Sequence, residues 1–323
     1  MKNTLVISDS GNETYNFKYD DVTYLSLDVQ NSVFRRLIYR ILYITGFVGL
    51  FYAYKFRNID FKKFDVILLN ETRFPVHLLK YLSRHKHHAT LIYWLWNTVG
   101  KAHMPKFFDV KAEFNDLLRN KDAYNYHIAS FDIDDCRKYG FINYPQCVPY
   151  LRAYESSEKS NWDIFFIGRD KSRLSMLIKL KEKFTNQELK CKFIIFPQDG
   201  KEYSPLESNN IYKGAMLSYE EVIRHDLQSK AILDIVQEGQ GGLTWRPIES
   251  IFYKKKLITN YQDIINYDLY TKDNVFILGK DDLDDLKKFV NSPWSPVLDE
   301  TRRKYTFAGC LDHVLQRIKN KQH

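Results

Sequence analysis

The sequence predicts an α/β protein of two parallel-sheet domains in tandem, and three observations lead there. Short apolar runs alternate with helix-patterned stretches along the whole chain, which is how parallel strands and their crossover helices read. A polar stretch without periodicity, residues 155–161, interrupts that alternation near the middle and reads as a linker. The length, 323 residues with 44% hydrophobic side chains, supplies two cores of ordinary size. The expected division is a first domain over 1–154, the linker, a second domain over 162–300, and a terminal helical segment over 301–323 packing back toward the first domain.

Taken in order, residues 5–8 and 65–69 read as apolar strands, and Pro75 introduces a helix over 76–84. Strands follow at 90–96 and 126–130, and Asp132 and Asp134 stand where carboxylates favour a helix start. Past the linker, strands read at 163–167, 191–196, 231–235, 256–259 and 274–277. Helices read at 174–184, 243–253, 281–290 and 305–319. A further helix starts at Tyr219, because Ser218 and Glu221 have the spacing of a capping box.

The formal net charge is +8, which favours an anionic partner: nucleotide phosphates, anionic lipid or nucleic acid. Cys136, Cys147, Cys191 and Cys310 fit no zinc spacing, and the N-terminus lacks the apolar run of a secretion signal. Free thiols in a reducing cytoplasm are therefore expected. The most apolar stretch, 41–54, is too short to span a bilayer. Arg35, Arg36 and Arg40 precede it, and Lys55 and Arg57 follow. It reads either as a segment lying in a membrane interface or as a helix buried in the first domain.

The strongest chemical signal lies between Ser218 and Asn260. Gly241-Gly242 lets the backbone approach a ligand closely, and a helix opening near Thr244 aims N–H groups at an anion. Arg246 can grip a phosphate with two donors, and Glu249 can accept from two hydroxyls. A second signal is Phe166-Ile167-Gly168-Arg169-Asp170-Lys171-Ser172-Arg173: a strand, a glycine turn, then cations entering a helix. Arg169 and Lys171 are its candidates, with Arg173 in reserve. Plainer readings stand beside these: a solvated helix residue, a surface cation, a basic turn.

Four runs taken together resemble the donor half of bacterial GT-B glycosyltransferases, most of all those of lipopolysaccharide, capsule and exopolysaccharide synthesis. They are Ser218-Tyr219-Glu220-Glu221, Ala231-Ile232-Leu233-Asp234-Ile235, residues 242–250 and Lys255-Lys256-Leu257-Ile258-Thr259-Asn260. Weaker likeness extends over most of 126–280. The resemblance implies two Rossmann-like domains facing each other across a cleft, with the first domain binding the acceptor. It implies that Glu249 meets the ribose hydroxyls and that the loop with Gly242, Leu243, Thr244 and Arg246 faces the diphosphate and sugar. Gly168, Arg169 and Lys171 would hold the pyrophosphate. One departure stands out: many such enzymes carry a second acid eight positions before the ribose-binding one, and here that position is Gly241.

The implied reaction moves a sugar from a nucleotide-diphosphate donor to a hydroxyl of a lipid-linked, lipopolysaccharide or capsular glycan. Cations and helix N-termini stabilise the leaving diphosphate, so neither a metal nor a cofactor is expected. An inverting enzyme needs a base from the first domain; Asp9, after the first strand, is the first candidate and Glu71 the second. Each also reads as a turn or capping residue. The expected partners are the nucleotide-sugar donor, a glycan or glycolipid acceptor and an anionic membrane surface, and not nucleic acid. The expected place is the inner face of the cytoplasmic membrane. Asp132-Ile133-Asp134 mimics a metal motif but reads better as a helix cap, and Arg84-His85-Lys86-His87-His88 reads as a solvated turn. The alternative function is a basic nucleic-acid-binding protein without catalytic activity, but no such motif is present and the cations are spread rather than focused.

Overall fold

The computed structural model describes residues 2–8, 22–27, 32–70, 75–95, 98–99, 110–148, 160–237 and 241–321. The chain divides into two compact units, Met1–Tyr144 with Leu311–His323, and Pro145–Cys310. The expected linker lies outside the described residues except for Ser160 and Asn161.

Unit 1 runs β1 (Thr4–Ser8), β2 (Val22–Ser26), α1 (Val33–Ile44), α2 (Val48–Lys55), β3 (Val66–Asn70), α3 (Pro75–His85), β4 (Thr90–Leu95), α4 (Val110–Arg119), β5 (His127–Ser130), α5 (Ile133–Tyr139) and β6 (Ile142–Asn143). Its strands pair in the order β2-β1-β3-β4-β5-β6, every pair parallel. The central strands are covered on both faces, so they read as unbroken apolar runs: all five residues of β3 are buried. Behind β4, the buried Trp94 packs on Tyr144, with ring centroids 4.1 Å apart, and the Tyr144 hydroxyl donates to Leu95 O at 2.7 Å.

Unit 2 runs β7 (Trp162–Arg169), α6 (Leu174–Asn186), β8 (Cys191–Phe196), α7 (Pro205–Ser208), α8 (Tyr219–Leu227), β9 (Ser229–Asp234), α9 (Trp245–Phe252), β10 (Lys256–Thr259), β11 (Val275–Ile277), α10 (Leu286–Asn291) and α11 (Asp299–Lys304). The order is β11-β10-β9-β7-β8, again all parallel. The last helix, α12 (Phe307–Lys321), begins in unit 2 and passes to unit 1 at Leu311.

Renumbered from its first strand, each sheet contains the order 2-1-3-4-5. In this doubly wound arrangement the winding reverses beside the first strand. The reversal falls between β1 and β3 in unit 1 and between β7 and β9 in unit 2. Open α/β sheets bind ligands outside the carboxyl ends of strands at such a point.

The apolar run 41–54 is not one helix. It covers the end of α1, a left-handed Gly46 and most of α2. Val48 and Tyr52 are buried, while Ile41, Ile44, Phe47, Leu50 and Tyr54 are exposed. Among the described residues no helix is long and apolar enough to cross a membrane. Strand β2 escaped the sequence reading because its residues are only partly covered, as is common at a sheet edge, and β6 because it has two residues. The helix expected over 281–290 is a 3-10 turn followed by α10, and the one expected over 305–319 is α12, preceded by the separate short helix α11.

Asp132 caps α5: one carboxylate oxygen accepts from Asp134 N and Asp135 N, each at 3.0 Å. Asp134 is exposed and pairs with Arg137 at 3.6 Å, so the two acids do not converge. The histidine run is a turn: His87 is left-handed, His85 stacks on Tyr81 and His88 faces Asp65 at 3.7 Å. Asp132→Ala should lower stability by about 1 kcal/mol through loss of the cap. Asp134→Ala should change it by less than half of that. Urea melts check both, and equal losses would contradict the capping role.

Candidate functional site at the carboxyl edge of the second sheet

Three strand ends meet at the switch point of unit 2. Strand β9 ends in Asp234, a buried carboxylate. One of its oxygens accepts from Thr244 Oγ1 at 2.9 Å, the other from Thr259 Oγ1 at 3.1 Å. Thr259 closes β10, and Thr244 is the N-cap of α9, accepting from Arg246 N at 3.2 Å. Burial raises the pKa of Asp234, and the two hydroxyls and Arg173 oppose that shift. Asn260 fastens the next residues by accepting from Val236 N at 2.7 Å and donating to Val236 O at 3.1 Å. The end of β9, the residues after β10 and the N-cap of α9 are thus tied to one another.

Strand β7 supplies the other wall. After Arg169 the chain turns through Lys171 and Ser172, both at positive φ (46° and 64°). Side chains other than glycine and asparagine seldom adopt that conformation, so two in succession need outside support. Asp170 provides it. Fully buried, it accepts from Leu174 N at 2.8 Å, Lys201 Nζ at 2.6 Å and Tyr203 Oη at 3.0 Å. Burial works against its charge, but these donors together hold the carboxyl below its ordinary range.

Arg173 spans the switch point. Its guanidinium donates to Ile235 O beyond β9 and, at 3.2 and 3.3 Å, to Arg169 O on β7. A Cβ on Gly168 would stand 2.7 Å from Arg173 Nη2, so the glycine leaves room for that arginine. Arg169 points outward and pairs with Asp199 at 3.2 Å. Lys171 is exposed on the turn. Gly168 thus lies near the end of β7, beside the β9 strand that leads to Gly242 and Thr244, while the Arg169 side chain leans the other way, toward the residues that follow β8. Leu243 has left the ligand side and packs in the core.

Arg246 and Glu249 take other partners than the sequence suggested. Arg246 donates twice to Asp226 Oδ1 and Oδ2, at 2.9 and 3.1 Å, and its second Nη lies 2.5 Å from Glu249 Oε2. Glu249 is fully buried, and the Tyr219 hydroxyl stands beside its carboxylate. Tyr219 in turn packs edge-on against Trp245, with centroids 5.5 Å apart. In this arrangement the guanidinium expected at a phosphate is engaged by two internal acids, and the carboxylate expected at a ribose faces its own helix neighbours. The reason is Asp226, the penultimate residue of α8, which sequence reading passed over. Asp170, Lys201 and Tyr203 were missed likewise. Asp234 carried a legible signal, a carboxylate closing an apolar strand.

In unit 1, the switch-point strands end in Ser8 and Asn70, which are register partners. Asn70 is buried, and its Oδ1 has no hydrogen-bond partner. Asp9 and Glu71, the residues that follow in sequence, lie outside the described residues. Among the described residues no three His, Cys, Asp or Glu side chains converge as a metal site would require. A cavity of about 240 Å³ opens at the opposite, amino edge of the second sheet. Three of its four lysines have partners: Lys255 donates to Leu227 O and Ser229 O, Lys256 to Pro293 O, and Lys230 pairs with Asp163.

No protein-family model matches the chain, and no curated protein sequence does. Among solved structures the chain is similar to AviGT4, a glycosyltransferase involved in avilamycin A biosynthesis. Identity there is 11%, over 99% of this chain and 97% of that one, with a TM-score of 0.46. It is similar to a sucrose-phosphate synthase from Thermosynechococcus elongatus, at 10% identity over 93% and 82% of the two chains and a TM-score of 0.46. A third is the catalytic domain of starch synthase IV from Arabidopsis thaliana bound to ADP and acarbose, at 10% identity over 87% and 76% with a TM-score of 0.38.

The Asp226–Arg246–Glu249 cluster makes a stability prediction. Burial raises the pKa of both acids, against the pull of Arg246. The folded chain therefore holds protons that the unfolded chain releases. The contribution of these acids to stability is full below about pH 4 and declines as pH rises through the raised values. Glu249→Gln should flatten that decline in urea melts taken across neutral pH. Arg246→Met, which leaves two buried acids without their cation, should cost about 3–5 kcal/mol. An unaltered pH slope in the first variant would remove Glu249 from the titration.

Proposed function

We propose that the chain is a glycosyltransferase that moves a sugar from a nucleotide diphosphate to a hydroxyl of a lipid-linked or lipopolysaccharide or capsular glycan, at the inner face of the cytoplasmic membrane. The observation that carries the reading is the switch point of unit 2, where the cationic turn after β7 and the capped opening of α9 stand on adjacent strand ends. The sequence resemblance around 218–260 supports the same assignment.

In this reading Arg169 and Lys171 meet the diphosphate as charge builds on the departing group, with backbone N–H groups near Gly242 and Thr244 as fixed donors. Arg169 exchanges Asp199, an exposed partner, for phosphate; an exposed pair of this kind is weak and gives way at small cost. Arg246 acts from behind, tying α9 to α8 so that the helix opening keeps its direction. Glu249 reaches a ribose only after Tyr219 and Arg246 shift, which makes it a closure-dependent contact. Asp9 or Glu71 serves as the base in an inverting reaction, and Asn70 Oδ1 offers the acceptor a buried hydrogen-bond site. The leaving group is stabilised by side-chain cations, so the reaction runs without a divalent ion.

Thermal melts with UDP-, GDP-, CMP- and dTDP-sugars test the class, since a ligand at a hundred times its Kd adds about 2.7 kcal/mol. One nucleotide class should raise Tm, and a shift with nucleic acid alone would overturn the proposal. Changing Arg169 and Lys171 together to Ala should weaken donor binding by about 1.5–3 kcal/mol in calorimetry. Activity should survive EDTA, and loss restored only by Mn²⁺ or Mg²⁺ would place a metal in the reaction.

A further inference from the structure

Helix α1 is amphipathic the wrong way round for a soluble protein. Val33, Phe34, Leu37, Ile38, Ile41 and Ile44 are between 38% and 74% exposed. At about 100° per residue they fall within an arc of about 140°. The centre of that arc lies opposite Tyr39, the residue by which the helix is anchored in unit 1. Solitary exposed aliphatics are ordinary, but six on one stripe form a contiguous apolar surface that calls for an occupant. Phe47 and Leu50, both exposed at the start of α2, add to it.

The charges around the stripe identify that occupant. Residues 29–59 contain five cations, Arg35, Arg36, Arg40, Lys55 and Arg57, and no Asp or Glu. On the helical projection Arg36 and Arg40 flank one side of the apolar arc and Arg35 the other. A second copy of the chain would bring an equally basic face against this one, and like charges would oppose the pairing. A lipid surface with anionic headgroups satisfies both parts at once: acyl chains take the apolar stripe and headgroups take the arginines.

We propose that the exposed face of α1, with Phe47 and Leu50, docks the protein in the interface of an anionic bilayer, the helix lying parallel to the membrane plane. The arginines supply long-range attraction and the aliphatic side chains shallow insertion, so binding is reversible and weakened by salt. This proposal names the surface for the membrane location given above but rests on the helix, not on the donor site.

Co-sedimentation with vesicles tests it. The wild-type chain should pellet with phosphatidylglycerol-rich vesicles at low salt, and release as salt rises. It should stay in the supernatant with phosphatidylcholine alone. Combining Phe34→Gln, Leu37→Gln and Ile41→Gln should lower partitioning about tenfold or more, as should Arg35→Glu with Arg36→Glu. These side chains are exposed, so Tm should not fall. The Tm shift with a sugar nucleotide in solution should persist in both variants, which separates failure of docking from failure of the donor reading. A wild-type chain that ignores anionic vesicles, or variants that pellet as it does, would overturn the proposal. So would a dimer in light scattering that the glutamine variant dissolves, because the occupant would then be a second copy.

Discussion

A parallel sheet brings the carboxyl ends of all its strands to one edge, and the loops leaving that edge must be held there without a ladder of their own. In unit 2 a single buried carboxylate does much of this. Asp234 accepts one hydroxyl from the strand beside it and one from the cap of the helix that follows. It stands near the guanidinium of Arg173, which bonds carbonyls on both sides of the switch point. Burying a carboxylate is costly unless donors surround it, so the loop positions that supply those donors are strongly preferred over others. The positions of Thr244 and Thr259 follow from this requirement, and with them the opening of α9.

The same economy explains the second ionic cluster. Arg246 cannot be spared for solvent because two acids, Asp226 and Glu249, are enclosed with it, and one cation between two carboxylates leaves the group short of positive charge. Proton uptake by the acids is the cheapest relief, which is the direction in which burial moves both. A partly satisfied cluster of this kind is a poor device for stability alone. Its value lies in orientation, since it ties the first turn of α9 to α8.

How much of this could be read from the sequence depends on whether the determining contact is local. The strand at 65–69 was legible because burial on both faces leaves an apolar run, Val66 to Leu69, and that at 256–259 because Leu257 and Ile258 stand between flanking residues of strand-like pattern. The capping box Ser218–Glu221 was legible because both partners lie within one turn: Glu221 Oε2 accepts from Ser218 N at 2.7 Å and Ser218 Oγ from Glu221 N at 3.3 Å. The turn after β7 was legible as a cationic turn, but the acid that supports it was not, since Asp170 draws on Lys201 and Tyr203 some thirty positions later. Arg246 shows the same limit more sharply. Its type suggested a phosphate, whereas its partner is set by Asp226, twenty positions earlier and brought close only by helix packing.

Unit 1 carries the converse lesson in α1, where Tyr39 and Tyr43 face inward together with Leu42. Tyr39 and Tyr52 share a hydrogen bond at 2.8 Å between their hydroxyls, and Tyr43 donates to Glu113 at 3.0 Å. A buried tyrosine fills as much space as a phenylalanine but demands a partner for its hydroxyl, so a core lined with tyrosines must be internally paired. Burial holds the Tyr43 hydroxyl well above its ordinary pKa and raises the Glu113 carboxyl with it. Tyr39, Tyr43 and Leu42 make the inward face of α1, and the six apolar residues of the stripe lie outside the core. The helix is thus fastened through aromatic hydroxyls on one side, and its apolar stripe stays exposed on the other.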